Sequence, residues 1–293
     1  MKSTILRLSL AAVLAAVAGS AAAQAPAPAP QAVKMVKPGL FMVTGAGGNV
    51  SVRITSDGLI VVDSKNNGQA FYDDLRARIA TISAQPVKWV INTHHHADHT
   101  GNNARFLADG ARLAGHANLV RELDKFVPPA NNPSAIAPAK PTVTYTSRYR
   151  IAQGGKTVNL LHFSNAHTSG DTIVHFPDLK VVALGDEFVG NTPFIDYAGG
   201  TNLGGWVNSL DQVLKLDWDT AIAGHGDEPM TRADVVAFRD KLKALRDRAR
   251  EQVRAGVPKD RLIASIKTDD LWPFAANYWN AARLDGLYAE VSR

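Results

Sequence analysis

Between Asn92 and Asn102 the chain reads NTHHHADHTGN, with four histidines and an aspartate inside His94–His99. Imidazole nitrogen and carboxylate oxygen suit Zn2+, and also Fe or Mn. In an extended or turn segment, residues two apart point the same way, so His94 and His96 can grip one ion together. Asp98 and His99 fall on the next bend and can reach a second ion. His95 points away, toward packing or a supporting contact. A histidine-rich stretch is also what a surface loop with no function looks like. Three later segments argue for chemistry: His167 in NAHTSGD, Asp186 in ALGDEF and His225 in AGHGD. Each places a metal-compatible side chain near the expected end of a strand.

The elements that must position these residues are legible from patterning. Leu40–Thr44, Val50–Thr55 and Leu59–Asp63 read as short strands separated by GAGGN and SDG turns. An amphipathic helix over Phe71–Ser83 is stopped by Pro86, and Val87–Asn92 (VKWVIN) reads as a buried strand. The histidine strip therefore begins where a strand ends. A helix over Asn103–Leu107, a strand ARLAG and a helix over Asn118–Lys125 follow. Residues 127–142 hold five prolines and read as an irregular loop. Strands resume at Lys156–Phe163, Thr172–Phe176 and Val181–Leu184, then a helix at Trp206–Leu214 and a strand at Thr220–Ala223. Thr231 and Asp234 form a capping box for a helix with apolar residues at Val235, Phe238, Leu242, Leu245, Ala249 and Val253. A helical segment near Lys259–Lys267 precedes an aromatic tail. The order suggests two β-rich halves with helices outside.

The ordered set H-x-H-x-D-H, HTSGD, GD after an apolar strand, and GHG resembles the metallo-β-lactamase superfamily, over Leu40 to about Ala255. The resemblance implies an α+β fold, the αββα four-layer sandwich, with two zinc ions at the sheet edge. It implies that His94, His96 and His167 hold the first ion and Asp98, His99 and His225 the second, with Asp186 bridging. The best-known lactamase subclasses place cysteine near the Asp186 position, and another has serine. Aspartate there resembles the glyoxalase II and lactonase branches. In relatives an acid at Asp63 orients a ligating histidine; a turn cap is the equal alternative. The resemblance further implies hydrolysis of a β-lactam, lactone or thioester by a metal-bridging hydroxide, with Asp98 as the catalytic residue that orients it and shuttles its proton.

Other polar residues read more plainly. Asp171, four after His167, is expected to hold its loop through backbone N–H groups. His116 is expected not to ligate, and His162 and His175 to be core or surface positions. GAGGN lacks the strand-to-helix setting of a phosphate loop; in relatives this turn overhangs the site, which makes it a candidate for touching substrate. Trp206 and the tail aromatics Trp272, Phe274, Tyr278 and Trp279 are expected to pack helices.

The first 25 residues read as a secretory signal, with Lys2 and Arg7, an apolar run Leu8–Ala18, and Ala-x-Ala sites ending at Ala23 or Ala25. Residues 26–38 read as a Pro/Ala-rich tether, residues 39–293 as the folded domain, and the location as periplasmic or secreted. A chain of 293 residues that is 45% hydrophobic can bury a sizeable core. Removal of Lys2 and Arg7 takes the formal charge from +5 to about +3, and the basic residues are spread or interleaved with acids. That argues against nucleic acid as partner, and no apolar run after the signal is long enough for a membrane. With no cysteine, disulfides and thiolate ligands are excluded. A small molecule is the expected partner; the oligomeric state is not legible. Two rivals remain: an iron-dependent oxidoreductase on the same ligands, and a non-catalytic metal-binding accessory protein of a redox pathway.

Overall fold

The structure is a computed structural model and describes residues 30–128 and 137–293. The expected signal segment, the start of the tether and residues 129–136 of the proline-rich loop lie outside the described residues. Two sheets face each other. The first runs in chain order: β1 (Ala32–Lys37), β2 (Leu40–Thr44), β3 (Val50–Thr55), β4 (Gly58–Val62), β5 (Val87–Ile91), β6 (Arg112–His116) and β7 (Val143–Tyr145). The second contains β8 (Arg148–Gln153), β9 (Lys156–Leu161), β10 (Ile173–Phe176), β11 (Val181–Ala183), β12 (Thr220–Ile222) and β13 (Met230–Thr231), ordered from β13 back to β8. The helices are α1 (Gln69–Ile82), α2 (Ala97–Thr100), α3 (Asn103–Ala108), α4 (Ala117–Asp124), α5 (Leu203–Val213), α6 (Arg232–Arg254), α7 (Leu262–Ser265) and α8 (Ala281–Val291).

Strand alternation builds the layers. Leu40, Met42, Ile60, Val62, Trp89 and Ile91 point inward and meet Val158, Leu160, Val174, Phe176 and Val181 of the second sheet. Their neighbours Val43, Leu59, Val61 and Val90 point outward under Tyr72, Leu75 and Ile79 of α1 and Phe106 of α3. On the far side Ile173, Val182 and Ala221 pack under α5, α6 and α8 through Leu203, Trp206, Phe238, Leu245 and Leu287. Each fully buried Leu, Ile or Phe stabilises the fold by roughly 1.5–3 kcal/mol before entropy is counted. The architecture is the αββα sandwich. Among the described residues no helix is long and apolar enough to cross a membrane.

Several elements differ from the sequence reading. The tether was expected to reach residue 38, but Ala32–Lys37 pairs antiparallel with β2, Val33 opposite Val43. As an edge strand it buries little, and Met35 stays exposed. β7 and β8 were not expected, because alternating charge at Arg148 and Arg150 masks a half-buried edge. Lys259–Lys267 yields only a 3-10 turn and the four-residue α7. The tail instead carries α8. The capping box forms as read, with Asp234 Oδ2 accepting from Thr231 N at 2.8 Å.

Topology places the site. β4, β5 and β6 run parallel, so the residues after them emerge at one edge. β11 and β12 are also parallel, and β10 is antiparallel to β11. The segments after β11 and β12 and before β10 therefore share that edge.

Candidate metal centre

Asp63 follows β4 in left-handed conformation (φ 64°), and its carboxylate points back at the strip after β5. It accepts from Thr93 N and Thr93 Oγ1, each at 2.7 Å, and faces His99 Nδ1 at 2.7 Å. Thr93 O accepts from Thr172 N at 2.7 Å, tying the two sheets at the site. His96 sits at the N-terminus of α2, which turns Asp98 and His99 onto the next bend, with His99 N bonded to His96 O at 3.0 Å. His167 lies in the loop before β10. Asp171 fixes that loop by accepting from Thr168 N (2.8 Å) and Thr168 Oγ1 (2.6 Å), as the sequence suggested. Burial raises the Asp171 pKa to about 7, against the pull of these bonds.

His94 Nε2 and His96 Nδ1 stand 3.0 Å apart, and His167 Nε2 is 3.1 Å from the same His96 nitrogen. Asp98 Oδ2, His99 Nε2 and His225 Nε2 form a second group, at 3.3–3.5 Å from one another. Asp186 lies between the groups, 3.7 Å from His167, 3.3 Å from His99 and 3.4 Å from His225. His94, His99, His167 and Asp186 are buried; Asp98 and His225 remain 30% and 31% exposed at their side chains, so the site opens on their side. All seven residues singled out from the motifs thus converge.

The hydrogen bonds fix which nitrogens carry lone pairs. Asp196 Oδ2 accepts from His96 Nε2 at 3.0 Å, and a neutral His96 then presents a bare Nδ1. Thr93 Oγ1 gives its proton to Asp63, so it accepts from His94 Nδ1, which leaves His94 Nε2 bare. Two lone pairs then face each other at 3.0 Å. Burial, and then neighbouring histidines, hold the His94 pKa well below its usual value, so His94 does not relieve the contact by taking up a proton. Asp186 Oδ1 is buried and stands 3.3 Å from His99 Nε2. A cation between the donors satisfies all of these groups, and an all-N/O set fits Zn2+, Fe or Mn.

The second group carries the opposite charge demand. Burial opposes charge on His225, but hydrogen bonds to Asp186 and Asp98 raise its pKa to about 9. Burial also opposes charge on His99, and Asp186, Asp98 and Asp63 outweigh it, raising that pKa well above normal. Protons occupy these nitrogens when no metal does, so metal uptake must release them. Metal affinity is therefore expected to fall as pH drops below about 9, by about tenfold per pH unit for each proton displaced. Competition with a chelator at pH 6, 7 and 8 measures the slope; a flat profile contradicts the assignment.

Several residues escaped the sequence reading. Asp196 holds His96, yet its DYAGG setting carries no spacing signal. Asn49 donates through Nδ2 to Ala223 O (3.0 Å) and Gly226 O (2.8 Å), so GAGGN grips the His225 loop. A Cβ on Gly48 would lie 2.1 Å from the His99 ring, and one on Gly224 2.0 Å from Asp186 Oδ1. The turn is thus a backbone support for two ligand residues. Phe194, 48% exposed, stands with its ring 5.6 Å from His96 at the mouth. His95 turns away from the donors into a cleft of about 400 Å3 beside Leu123 and Phe126. His116 bonds to Thr146 O and stacks on His162 at 3.8 Å, and His175 bonds to Asp217 O. Trp206 is buried and donates to Glu187 O at 2.8 Å.

Replacing Asp63 with alanine removes the only described carboxylate that orients both Thr93 and His99. Affinity for the second ion is expected to fall by about 10–100-fold. Zinc titration of the variant against wild type tests it, and equal affinity would reduce Asp63 to a turn cap.

Comparison with known proteins adds the family. A model of the metallo-beta-lactamase superfamily matches residues 43–225, more than half of the chain. The chain belongs to this superfamily. It is 28% identical over 214 residues to the 2,4-dinitroanisole O-demethylase subunit alpha of Nocardioides sp. (strain JS1661), covering 72% of this chain and 61% of that protein. It is 30% identical over 171 residues to a hydroxyacylglutathione hydrolase of Synechococcus sp., covering 56% of this chain and 61% of that protein. The chain thus spans about three-fifths of the length of these relatives. A stereoselective inverting sec-alkylsulfatase from Pseudomonas sp. superposes with a TM-score of 0.70 at 16% identity, covering 88% of this chain and 50% of that one, a likeness of fold. The superfamily fold supports a metal-dependent hydrolase.

Proposed function

We propose that the chain is a di-zinc hydrolase of a small carbonyl substrate, with a lactone or thioester favoured over a β-lactam. One observation carries this: Asp186 joins two donor groups, and Asp98 and His225 of the second are open to solvent. His94, His96 and His167 would hold the first ion, Asp98, His99 and His225 the second, and Asp186 both. Bound there, the ions supply Lewis acidity and a water ionisable near neutral pH. Burial would raise the Asp98 pKa, but His99 and His225 hold it well below the usual range, so the carboxylate stays ionised at neutral pH. It orients the attacking water through an accepting oxygen and passes the proton to the leaving atom. The water oxygen adds to the carbonyl carbon as the C=O π bond opens, and the carbon–leaving-atom bond breaks as the C=O bond re-forms. Phe194 and the His95 cleft give the substrate apolar walls. Asp186, in place of a thiolate, supports the thioesterase and lactonase reading. Action in the periplasm or outside the cell is proposed from the first 25 residues alone.

The test is turnover of nitrocefin, a simple lactone and a glutathione thioester by zinc-loaded protein, with metal content measured on protein as isolated. Activity on the lactone or thioester and silence on nitrocefin supports the reading. Iron as the native metal with no turnover of any member overturns it in favour of redox chemistry.

A further inference from the structure

The match to the superfamily ends at residue 225, and the tail after α7 lies beyond it. That tail returns to the metal centre by gripping residues 193–204, the segment that carries Asp196 and leads into α5. Tyr278 holds the start of the segment with one oxygen. Its hydroxyl accepts from Ile195 N at 3.1 Å and donates to Pro193 O at 2.7 Å. Arg283, in the first turn of α8, donates from Nε to Ile195 O at 2.9 Å and from Nη1 to Tyr278 O at 2.6 Å. Its guanidinium also covers the Phe194 ring at 4.6 Å. Glu290, near the end of α8, holds the other end of the segment. It accepts from Leu203 N and Gly204 N, each at 2.9 Å, and from the Tyr197 hydroxyl at 3.1 Å. Helix α8 lies so close that a Cβ on Gly286 would fall 2.1 Å from Cγ of Tyr197.

Between these grips stand the residues that touch the first donor group. Asp196 accepts from His96 Nε2 at 3.0 Å. Asp196 N donates to Thr201 Oγ1 at 2.9 Å, and Thr201 N to Asp196 O at 3.0 Å, which closes the segment into a loop. The Thr201 hydroxyl in turn donates to His167 O. One loop thus supports two of the three histidines of the first group. His94 is held separately, through Thr93 and Asp63. Among the described residues no hydrogen bond joins the loop to Asp98, His99 or His225.

We propose that Tyr278 is a positioning residue of the metal centre: with Arg283 and Glu290 it makes the tail a clamp that sets His96 and His167 for the first ion. A ligand oriented in advance loses less freedom when the ion arrives, and supporting contacts of this kind tune affinity. The second ion should not feel the clamp. The assignment rests on the metal-centre reading above and on no particular substrate.

Tyr278→Phe removes one oxygen and keeps the ring. Chelator competition with zinc on the full chain compares it with Asp196→Ala, which strips the hold on His96 directly. Asp196→Ala is expected to lower one of the two zinc affinities by about 10–100-fold, which marks that affinity as the first group's. Tyr278→Phe is expected to lower the same affinity by about three- to tenfold and leave the other unchanged. The double variant should lose less than the product of the single losses, because the two share a path. Hydrogen exchange of the metal-free chain over residues 193–204 should quicken in Tyr278→Phe. Intact affinities, equal loss at both ions, or independent losses in the double variant would each overturn the positioning role. No zinc uptake by wild type would sink the metal-centre reading instead, and exchange then still decides whether Tyr278 holds the loop.

Discussion

Stripping the metal from the zinc-loaded protein is expected to lower its melting temperature by roughly 10 °C. At a thousandfold excess over its dissociation constant, one ion bound only to the folded state contributes about 4 kcal/mol. In a domain of this size 1 kcal/mol moves the midpoint by about 2–4 °C. The physical source is in the donors. His94 Nε2 and His96 Nδ1 face each other at 3.0 Å, and the buried Asp186 carboxylate lies 3.3–3.7 Å from three histidines. Without a cation the crowded nitrogens of the first group have no common partner, and unfolding relieves them. Asp186→Asn should abolish most of the gain, because it removes the charge that both donor groups share. Scanning calorimetry with zinc, with chelator, and after zinc is restored measures the effect. Equal midpoints in all three would show that the cluster does not bind metal tightly.

The site was legible because its chemistry is concentrated in residue types that rarely crowd for packing. His94–His99, His167, Asp186 and His225 stand out by type and by position after apolar strands. The sandwich was legible for a related reason: strands such as Leu59–Val62 and Val87–Ile91 are buried on both faces and read as apolar runs. What could not be read depends on contacts across long sequence distances. Asp196 reaches His96 from 100 residues away, and Asn49 reaches Ala223 from 174. Neither has a local pattern, since an aspartate in a glycine-rich loop and an asparagine in a turn are ordinary. β1 was hidden for the opposite reason. Its AVKMVK alternation is weak and follows a Pro/Ala run that looks like a tether, and only pairing with β2 gives it order. The role of GAGGN shifted because a glycine's meaning lies in what a side chain would strike, here the His99 ring.

Replacing Asp98 with alanine is expected to cut kcat by about 10²–10⁴-fold, the range for removing a positioned acid–base group. The fold should survive, since the side chain is 30% exposed and its partners, the buried His99 and the part-exposed His225, belong to the same donor group. Asp98 has two duties in the proposed mechanism, as a donor to the second ion and as the group that orients water, and the variants separate them. Asp98→Asn keeps an oxygen donor of the same size but loses one of the two carboxylate hydrogen bonds, after that of Asp186, that raise the His225 pKa. If Asp98→Asn retains both ions and still loses most of its rate, the carboxylate acts on water. If rate and second-ion content fall in proportion, and excess zinc restores both, its duty is ligation. Full activity in the alanine variant would remove Asp98 from the mechanism altogether. The remaining solvent-facing member of the second donor group would then be His225, and the direction of attack would have to be drawn again from its side of the cleft.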